Sequence, residues 1–292
     1  MAREVAALSR QERLMRSLSR GPVNVAIIAI CLLWMLPSAG LLVSSFRPRN
    51  DIATTGWWTA FKTPFEFTLA NYEQVLTTQG MAQSFVNSLI ISVPVTVFVV
   101  MVAAFAAYAF AWMELPGRDA IFLVVVGLIV VPIQLTLIPV LRMFSSAGMT
   151  GTFPAIWLAH TAYGLPFAVF LLRNFFIALP KDLLESAFLE GASHTRVFLR
   201  IVMPLSVPSL AALAIFQFLW VWNDLLVALV YLGGFRSVAP MTVTVSNLVS
   251  SFGSEWHLLT AAAFISMMLP LAVFFALQRY FVEGILAGAV KG

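Results

Sequence analysis

Few side chains in this sequence are equipped for chemistry, and most of those lie inside long apolar runs. Asp224 is the one acidic residue clearly within such a run. A carboxylate near the centre of a membrane helix costs roughly 2.5–3.5 kcal/mol on insertion scales, so it must face water or a partner. Written as one helix, Gln217, Trp220 and Asp224 fall at i, i+3 and i+7 and form a single stripe, flanked by Phe216 and Asn223. An indole face can cover the apolar face of a pyranose while amide and carboxylate groups bond its hydroxyls, so the stripe suits a polyhydroxylated ligand. A plainer role competes with that one: polar groups in spans commonly bond a neighbouring helix, which would account for Asn223 and Asp224 equally well. His160, Tyr163 and Gly164 share a face of the preceding run, and there too an interhelical hydrogen bond competes with a ligand contact for the histidine. Pro132 and Pro139, seven apart with Gln134 and Thr136 between them, either form a hinge or cavity wall or mark irregular packing.

Other chemistries lack their parts. No Gly-x-x-x-x-Gly-Lys-Ser/Thr loop is present to cradle nucleotide phosphates. His160, His194 and His257 are far apart and match no metal-binding spacing. No Gly-x-Ser-x-Gly nucleophile elbow occurs, and the single cysteine, Cys31, allows no intrachain disulfide or cysteine-based metal cluster. No catalytic residue, metal site or cofactor of its own is therefore expected. The rival class, an intramembrane enzyme, would need a nucleophile or metal pair on facing helices, and the sequence offers no strong candidate.

The elements that carry these residues are set by solvent. Apolar residues make up 61% of the chain, charged residues 10%, and the mean hydropathy is +0.94. A soluble domain carries about 25% charge, so lipid must cover part of this one. The net charge of +4 comes without a basic block, which argues against nucleic-acid binding. A span needs roughly 20 mostly apolar residues, and six stretches qualify: Val23–Phe46, Phe85–Met113, Ala120–Met143, Phe153–Phe176, Leu205–Leu232 and Leu258–Phe281. The expected fold is all-α, a polytopic membrane protein with six transmembrane helices. Its parts are a cytoplasmic segment 1–22, a membrane domain 23–282 and a cytoplasmic tail 283–292. The first run resumes at Gly40-Leu-Leu-Val43 beyond a poor cleavage site, so it is expected to stay as a helix and not to act as a signal peptide. Trp57, Trp58, Phe61, Phe65 and Phe67 follow it and are expected at the bilayer interface.

The loop between the fourth and fifth runs, about 177–204, encodes a short helix. Asp182 is placed to cap its start, with Glu185 three residues on, and Leu183, Leu184, Ala187 and Phe188 give one apolar face. Gly191 then ends the helix or lets another backbone approach. By residue type alone this is equally an amphipathic helix lying on the bilayer or on the spans. The spacing is more particular. Glu185-Ser186-Ala187, then Gly191, then Ile201-Val-Met203-Pro204 resembles the cytoplasmic loop of binding-protein-dependent ABC importers, Glu-Ala-Ala-x3-Gly-x9-Ile-x-Leu-Pro, with Ser186 for Ala and Met203 for Leu. Trp222-Asn223-Asp224-Leu225 resembles a stretch of the carbohydrate branch of that family, and Gln278–Gly292 resembles the end of its maltose-type second membrane subunit.

The resemblance implies a permease subunit that forms the translocation pathway for a sugar: a disaccharide, an α-glucoside or an oligosaccharide. Glycerol-phosphate importers share the motifs. It also implies partners: a second related permease, two ATPase subunits that bind ATP and Mg, and an extracytoplasmic solute-binding protein. Glu185, Ser186, Ala187, Gly191, Ile201 and Pro204 would couple the ATPases to the membrane domain, in a bacterial cytoplasmic membrane. Orientation follows from charge. With both termini inside, 12 of the 17 Lys and Arg residues fall on the cytoplasmic side, among them Arg3, Arg10, Arg13, Arg16 and Arg20. Cysteines introduced singly at Ser186 and Ser251 should then respond oppositely to an impermeant thiol reagent in intact cells, with only Ser251→Cys labelled. Labelling at position 186 would reverse the topology.

Overall fold

A computed structural model describes residues 10–62, 65–249 and 255–289. Ser251, the first nine residues of the N-terminal segment and the last three of the tail lie outside them. The described chain is helical, without strands. Its principal helices are α1 (Arg10–Ser45), α2 (Ala70–Thr77), α3 (Met81–Trp112), α4 (Arg118–Gly127), α5 (Ile133–Ser146), α6 (Phe153–Ile177), α7 (Lys181–Leu189), α8 (His194–Leu205), α9 (Val207–Trp222), α10 (Leu226–Leu232), α11 (Met241–Val249) and α12 (Trp256–Ala289).

The bundle is organised on α3 and α6, which share the most extensive contact. Their facing sides are small: Ala103, Ala104 and Ala107 on one, Ala155, Ala159 and Ala168 on the other, all buried. Lipid tails are as apolar as leucine, so burial alone does not drive helices together in a membrane. Close van der Waals approach of small side chains does. A second cluster joins α9 to α12 through Phe218, Trp222, Leu258, Ala261 and Ala262, with Met81 and Met241 closing its end. Most large side chains from Val23 to Leu36 of α1 are exposed, Trp34 at 78%, so this part of α1 is left largely uncovered by the described residues.

Four helices are long and apolar enough to cross a membrane unbroken, and two more spans result only if each of two bent pairs counts as one. The third expected span, Ala120–Met143, is not continuous. Helix α4 and a 3₁₀ turn end at Val130, and α5 leaves at 100°. Proline disfavours the helical region for the residue before it, and Val131 is extended at the break, with Pro132 at the start of α5. The fifth expected span, Leu205–Leu232, starts at a bend and is divided once further on. Helices α8 and α9 meet at 75° around Ser206, and α9 stops at Trp222. There Asn223 donates its Nδ2 to the Leu219 carbonyl at 2.7 Å, and Asp224 accepts from the Val227 and Ala228 amides at 3.3 and 3.0 Å. Short polar side chains that bond the local backbone compete with helix continuation, and here they end one helix and begin the next.

The polar segment after α1 is held by a buried arginine, Arg47, whose guanidinium reaches the Asp51 and Thr55 carbonyls and Thr59 Oγ1 at 3.2–3.3 Å. Of the aromatics there, Trp58, Phe61, Phe65 and Phe67 are exposed, while Trp57 lies against Gly40. At the start of α3, Asn87 donates to the carbonyls of Ser237 and Ala239 at 3.1 and 3.0 Å and so ties the segment between α10 and α11 to the bundle. Asn87→Leu leaves both carbonyls unmet, at about 1–3 kcal/mol for each buried group without a partner. The thermal midpoint of the detergent-purified protein should fall by several degrees. An unchanged midpoint would mean that this amide does not hold the segment.

Candidate coupling surface and translocation site

Helix α7 begins at Lys181 with Pro180 as its N-cap residue and no side-chain cap, so Asp182 lies in the first turn and does not cap it as the sequence suggested. The capping side chain in this loop is Ser193, which accepts from the Arg196 amide at the start of α8. Leu184 is fully buried and Ala187 and Phe188 pack on the core, so the apolar face turns inward. Leu183 departs from that face and is exposed. The helix ends in a Schellman motif: the Gly191 amide bonds the Phe188 carbonyl and the Ala192 amide bonds the Ala187 carbonyl, both at 3.0 Å. That motif needs a left-handed residue, and Gly191 supplies it at φ +82.

What remains outward is Glu185, Ser186, Leu189 and Gly191, with Leu189 89% exposed and nothing within 4 Å of a Cβ added at Gly191. Of the motif's later residues, Ile201 is partly buried against the core and Pro204 is exposed. Between the two parts of the loop the backbone takes one π-helical turn at Phe198–Val202. The loop is fastened to α3 where the Tyr108 hydroxyl and His194 Nδ1 lie 3.0 Å apart and the His194 ring packs at 4.9 Å on Phe188.

Inside the bundle, α6, α9 and the break after α9 bring three of the candidate residues together. His160 is 1% exposed, its Nε2 is 3.5 Å from Asp224 Oδ2, and its ring meets the Trp220 ring edge-on at 5.3 Å. Trp220 keeps 38% of its surface open, so the indole forms the accessible side of this group. The expected straight stripe is not formed, because α9 ends before Asp224 and its carboxylate caps α10. Gln217 is buried, with its Nε2 lacking a hydrogen-bond partner, and it is fitted against Gly164, where an added Cβ would stand 2.7 Å from Oε1. Asn223 is exposed and bonds its own helix. Tyr163 stands apart from the group, its hydroxyl 2.7 Å from that of Tyr231 and 3.0 Å from Thr136 Oγ1.

Sequence reading missed Ser88 and Ser92, which close around His160 and Asp224 and leave no room there for a water molecule. Their signal was in the sequence as hydroxyls four residues apart within an apolar run. Among the described residues no group of three or more His, Cys, Asp or Glu side chains is placed to hold a metal.

Residues 81–286 match the family described as the inner membrane component of binding-protein-dependent transport systems. The chain belongs to this family. Across 92% of both chains it is 60% identical to the osmoprotective compounds uptake permease GgtD of Synechocystis sp.. It is 40% identical to the α-glucoside transport system permease AglG of Rhizobium meliloti over 92% of its length and 97% of the relative's. Among solved structures, a membrane chain of a bacterial alginate ABC importer superposes with a TM-score of 0.75 over 94% of this chain and 99% of that one, at 19% identity. That likeness shows the importer permease fold. The protein is thus a multi-pass permease of the bacterial inner membrane, and its site residues are to be judged by what they do to transport.

For Trp220→Ala, a permease that still packs α9 through Phe218 and Trp222 should assemble normally while uptake per assembled complex falls several-fold. Uptake kinetics equal to the parent's would remove the indole from the pathway.

Proposed function

We propose that this permease is one of two related membrane subunits of an ATP-driven importer. Together they pass a neutral sugar, an α-glucoside or small oligosaccharide, from an extracytoplasmic solute-binding protein to the cytoplasm. The observation that carries the reading is the outward face of α7. Leu189 and Gly191 are left uncovered by any described part of the chain, on a helix anchored from beneath by Leu184 and Phe188. A large exposed apolar side chain beside a glycine without neighbours fits a surface onto which another protein's backbone closes. Since this sequence contains no phosphate-binding loop, the energy for transport must enter from another subunit, and this face is where we place that entry.

The substrate class is supported by the two most informative relatives, whose names specify osmoprotective compounds and α-glucosides. It is supported independently by the Trp220 face beside the His160–Asp224 pair, an arrangement suited to the apolar face and hydroxyls of a hexose. Partner kinds have parallels in solved relatives of the fold: an alginate importer bound to a pentasaccharide-loaded periplasmic protein, and a methionine ABC transporter. In this reading α7 and both termini are cytoplasmic. ATP and Mg bind only to the ATPase subunits, and Glu185, Ser186, Ala187 and Gly191 form the contact, with Ile201 and Pro204 setting the second half of the loop behind it.

Gly191→Asp tests the reading. A side chain at a left-handed position costs about 1–2 kcal/mol, and a carboxylate is added at the contact. The spans are untouched, so the permease should still insert and pair. In liposomes carrying the complete importer, the variant should lose its ATPase subunits, or should hydrolyse ATP with sugar uptake reduced about tenfold or more. Transport at the parent's ratio of sugar to ATP would show that α7 is an ordinary amphipathic loop helix.

A further inference from the structure

The end of the bundle remote from α7 contains a cavity of about 870 Å³ that no part of the reading above uses. That it is remote follows from α3: its Trp112 end bonds the Phe176 carbonyl near α7, whereas its Met81 end borders the cavity. The volume lies in the range of roughly 300–1,000 Å³ typical of small-molecule sites. Its wall includes Gln79, Gln83, Ser237, Thr244, Arg236 and Glu255, and none of the described lining residues is aromatic.

Hydrogen bonds hold that wall in place. Ser84 Oγ lies 2.7 Å from Thr244 Oγ1, Gln83 donates to Asn87 Oδ1 at 3.0 Å, and Asn87 fixes the 237–239 backbone. The wall carries one charge of each sign, Glu255 and the exposed Arg236, and Glu255 is also paired outward to Arg49 at 3.2 Å.

A polar track leads inward from this cavity. Ser84, Ser88 and Ser92 recur every four residues on one face of α3, each at most 3% exposed. Ser84 lines the cavity, Ser88 accepts from the Met241 amide, and Ser92 Oγ has no partner. Ser88 and Ser92 then close around His160 and Asp224, where His160 Nδ1 has no partner and Nε2 meets only Asp224 Oδ2, at 3.5 Å. Buried polar atoms without partners are rare because each costs desolvation energy. The unmet groups, on Ser92 and His160, lie at the inner end of this line of serines, where a ligand bringing its own hydroxyls could satisfy them.

We propose that the outer cavity is a receiving subsite for a neutral polyhydroxylated solute, occupied after the binding protein releases it and before it reaches Trp220. The inference rests on the orientation and substrate class proposed above. Amides and hydroxyls without a stacking ring give weak, fast binding, as a relay point needs.

The test uses the complete importer complex in detergent, with Cys31→Ser as background and Gln79→Cys as the only thiol on this subunit. Any accessible thiols of the partner subunits are replaced as well. Maltose, trehalose and sucrose are first assayed for uptake by the parent complex in liposomes, and the imported sugar becomes the probe. With no binding protein and no nucleotide present, millimolar amounts of that sugar should slow labelling of Gln79→Cys by a polar maleimide at least threefold. A control cysteine at Glu66 should be unaffected. Gln79→Trp, which fills the cavity, should raise the sugar concentration for half-maximal uptake while the affinity for ligand-free binding protein is unchanged.

Labelling that is indifferent to an imported sugar overturns the subsite and leaves the importer reading standing. So does protection given by ligand-free binding protein but not by sugar, since the cavity would then be that protein's seat. If the parent imports none of these α-glucosides, the substrate reading fails, and the subsite with it.

Discussion

The close approach of α3 and α6 is the contact on which the other features hang. A larger residue at Ala103, Ala107, Ala155 or Ala159 would push the two helices apart, and lipid offers no compensating hydrophobic gain. Several polar contacts are possible only at that spacing. The Trp157 indole N–H reaches the Ile90 carbonyl at 2.8 Å, and that of Trp112 reaches the Phe176 carbonyl at 3.1 Å, one near each end of the pair. Both long helices contain proline, Pro94 and Pro166, without being broken, unlike the chain at Pro132. Packing alone does not decide this: the chain from Leu128 to Val131 is exposed on every residue, but Pro22 and Pro37 also lie in the exposed part of α1, which is continuous.

The breaks in the spans are where the candidate site residues gather. A continuous fifth span would have carried Asp224 on a rigid stripe facing one direction. Instead α9 ends, and the carboxylate turns back to accept two amides at the start of α10 while it remains 3.5 Å from His160. Those amides and the imidazole share the stabilisation that a carboxylate within the membrane requires. Thr242 adds a further tie by donating to the Asp224 carbonyl at 2.6 Å, which links the break to α11. The group that lines the Trp220 side is therefore braced by four separate segments and by no single helix.

Legibility in the sequence followed the range of the interactions. Membrane class, helical content and the approximate spans were readable because hydropathy is a local sum. The helix in the α7 loop was readable too, since Gly191 sits where a Schellman motif needs a left-handed residue. Its start was misassigned because Asp182 and Pro180 both suit a first turn, and only the backbone chooses between them. The third and fifth spans were drawn too straight. Pro132 was noted, yet Pro94 and Pro166 look the same in sequence and are tolerated, so proline alone does not tell a bend from a break. The proximity of His160, Trp220 and Asp224 was half visible: each stood out as polar or aromatic in an apolar run, but their meeting depends on the α6–α9 packing. Ser92, Gln217 and the outer cavity depend on long-range contacts throughout, and spacing carries little of that information.

The two candidate regions are joined by one run of chain. From α7, the Schellman turn at Gly191 leads directly into α8, whose His194 is fastened to Tyr108 and Phe188 and whose Phe198 packs on Phe105 and Tyr108 of α3. A force applied at Leu189 or Gly191 therefore meets a short, well-packed unit seated on the end of α3, with little slack to absorb it. That unit ends at Ser206, where the 75° bend passes to α9, and α9 carries Gln217 and Trp220 before stopping at Asn223. Bends of this kind let two stiff pieces change their angle without breaking either one's hydrogen bonds. The π-helical turn at Phe198–Val202 lies just upstream of the bend, and such turns are cheaper to shift than a regular helix. Rotation of α7 and α8 about Ser206 would tilt α9 against α6. Its first effect would fall on the Gln217–Gly164 contact, where the glutamine amide lies directly against the glycine, and the next on the His160–Trp220 contact one helical turn further along.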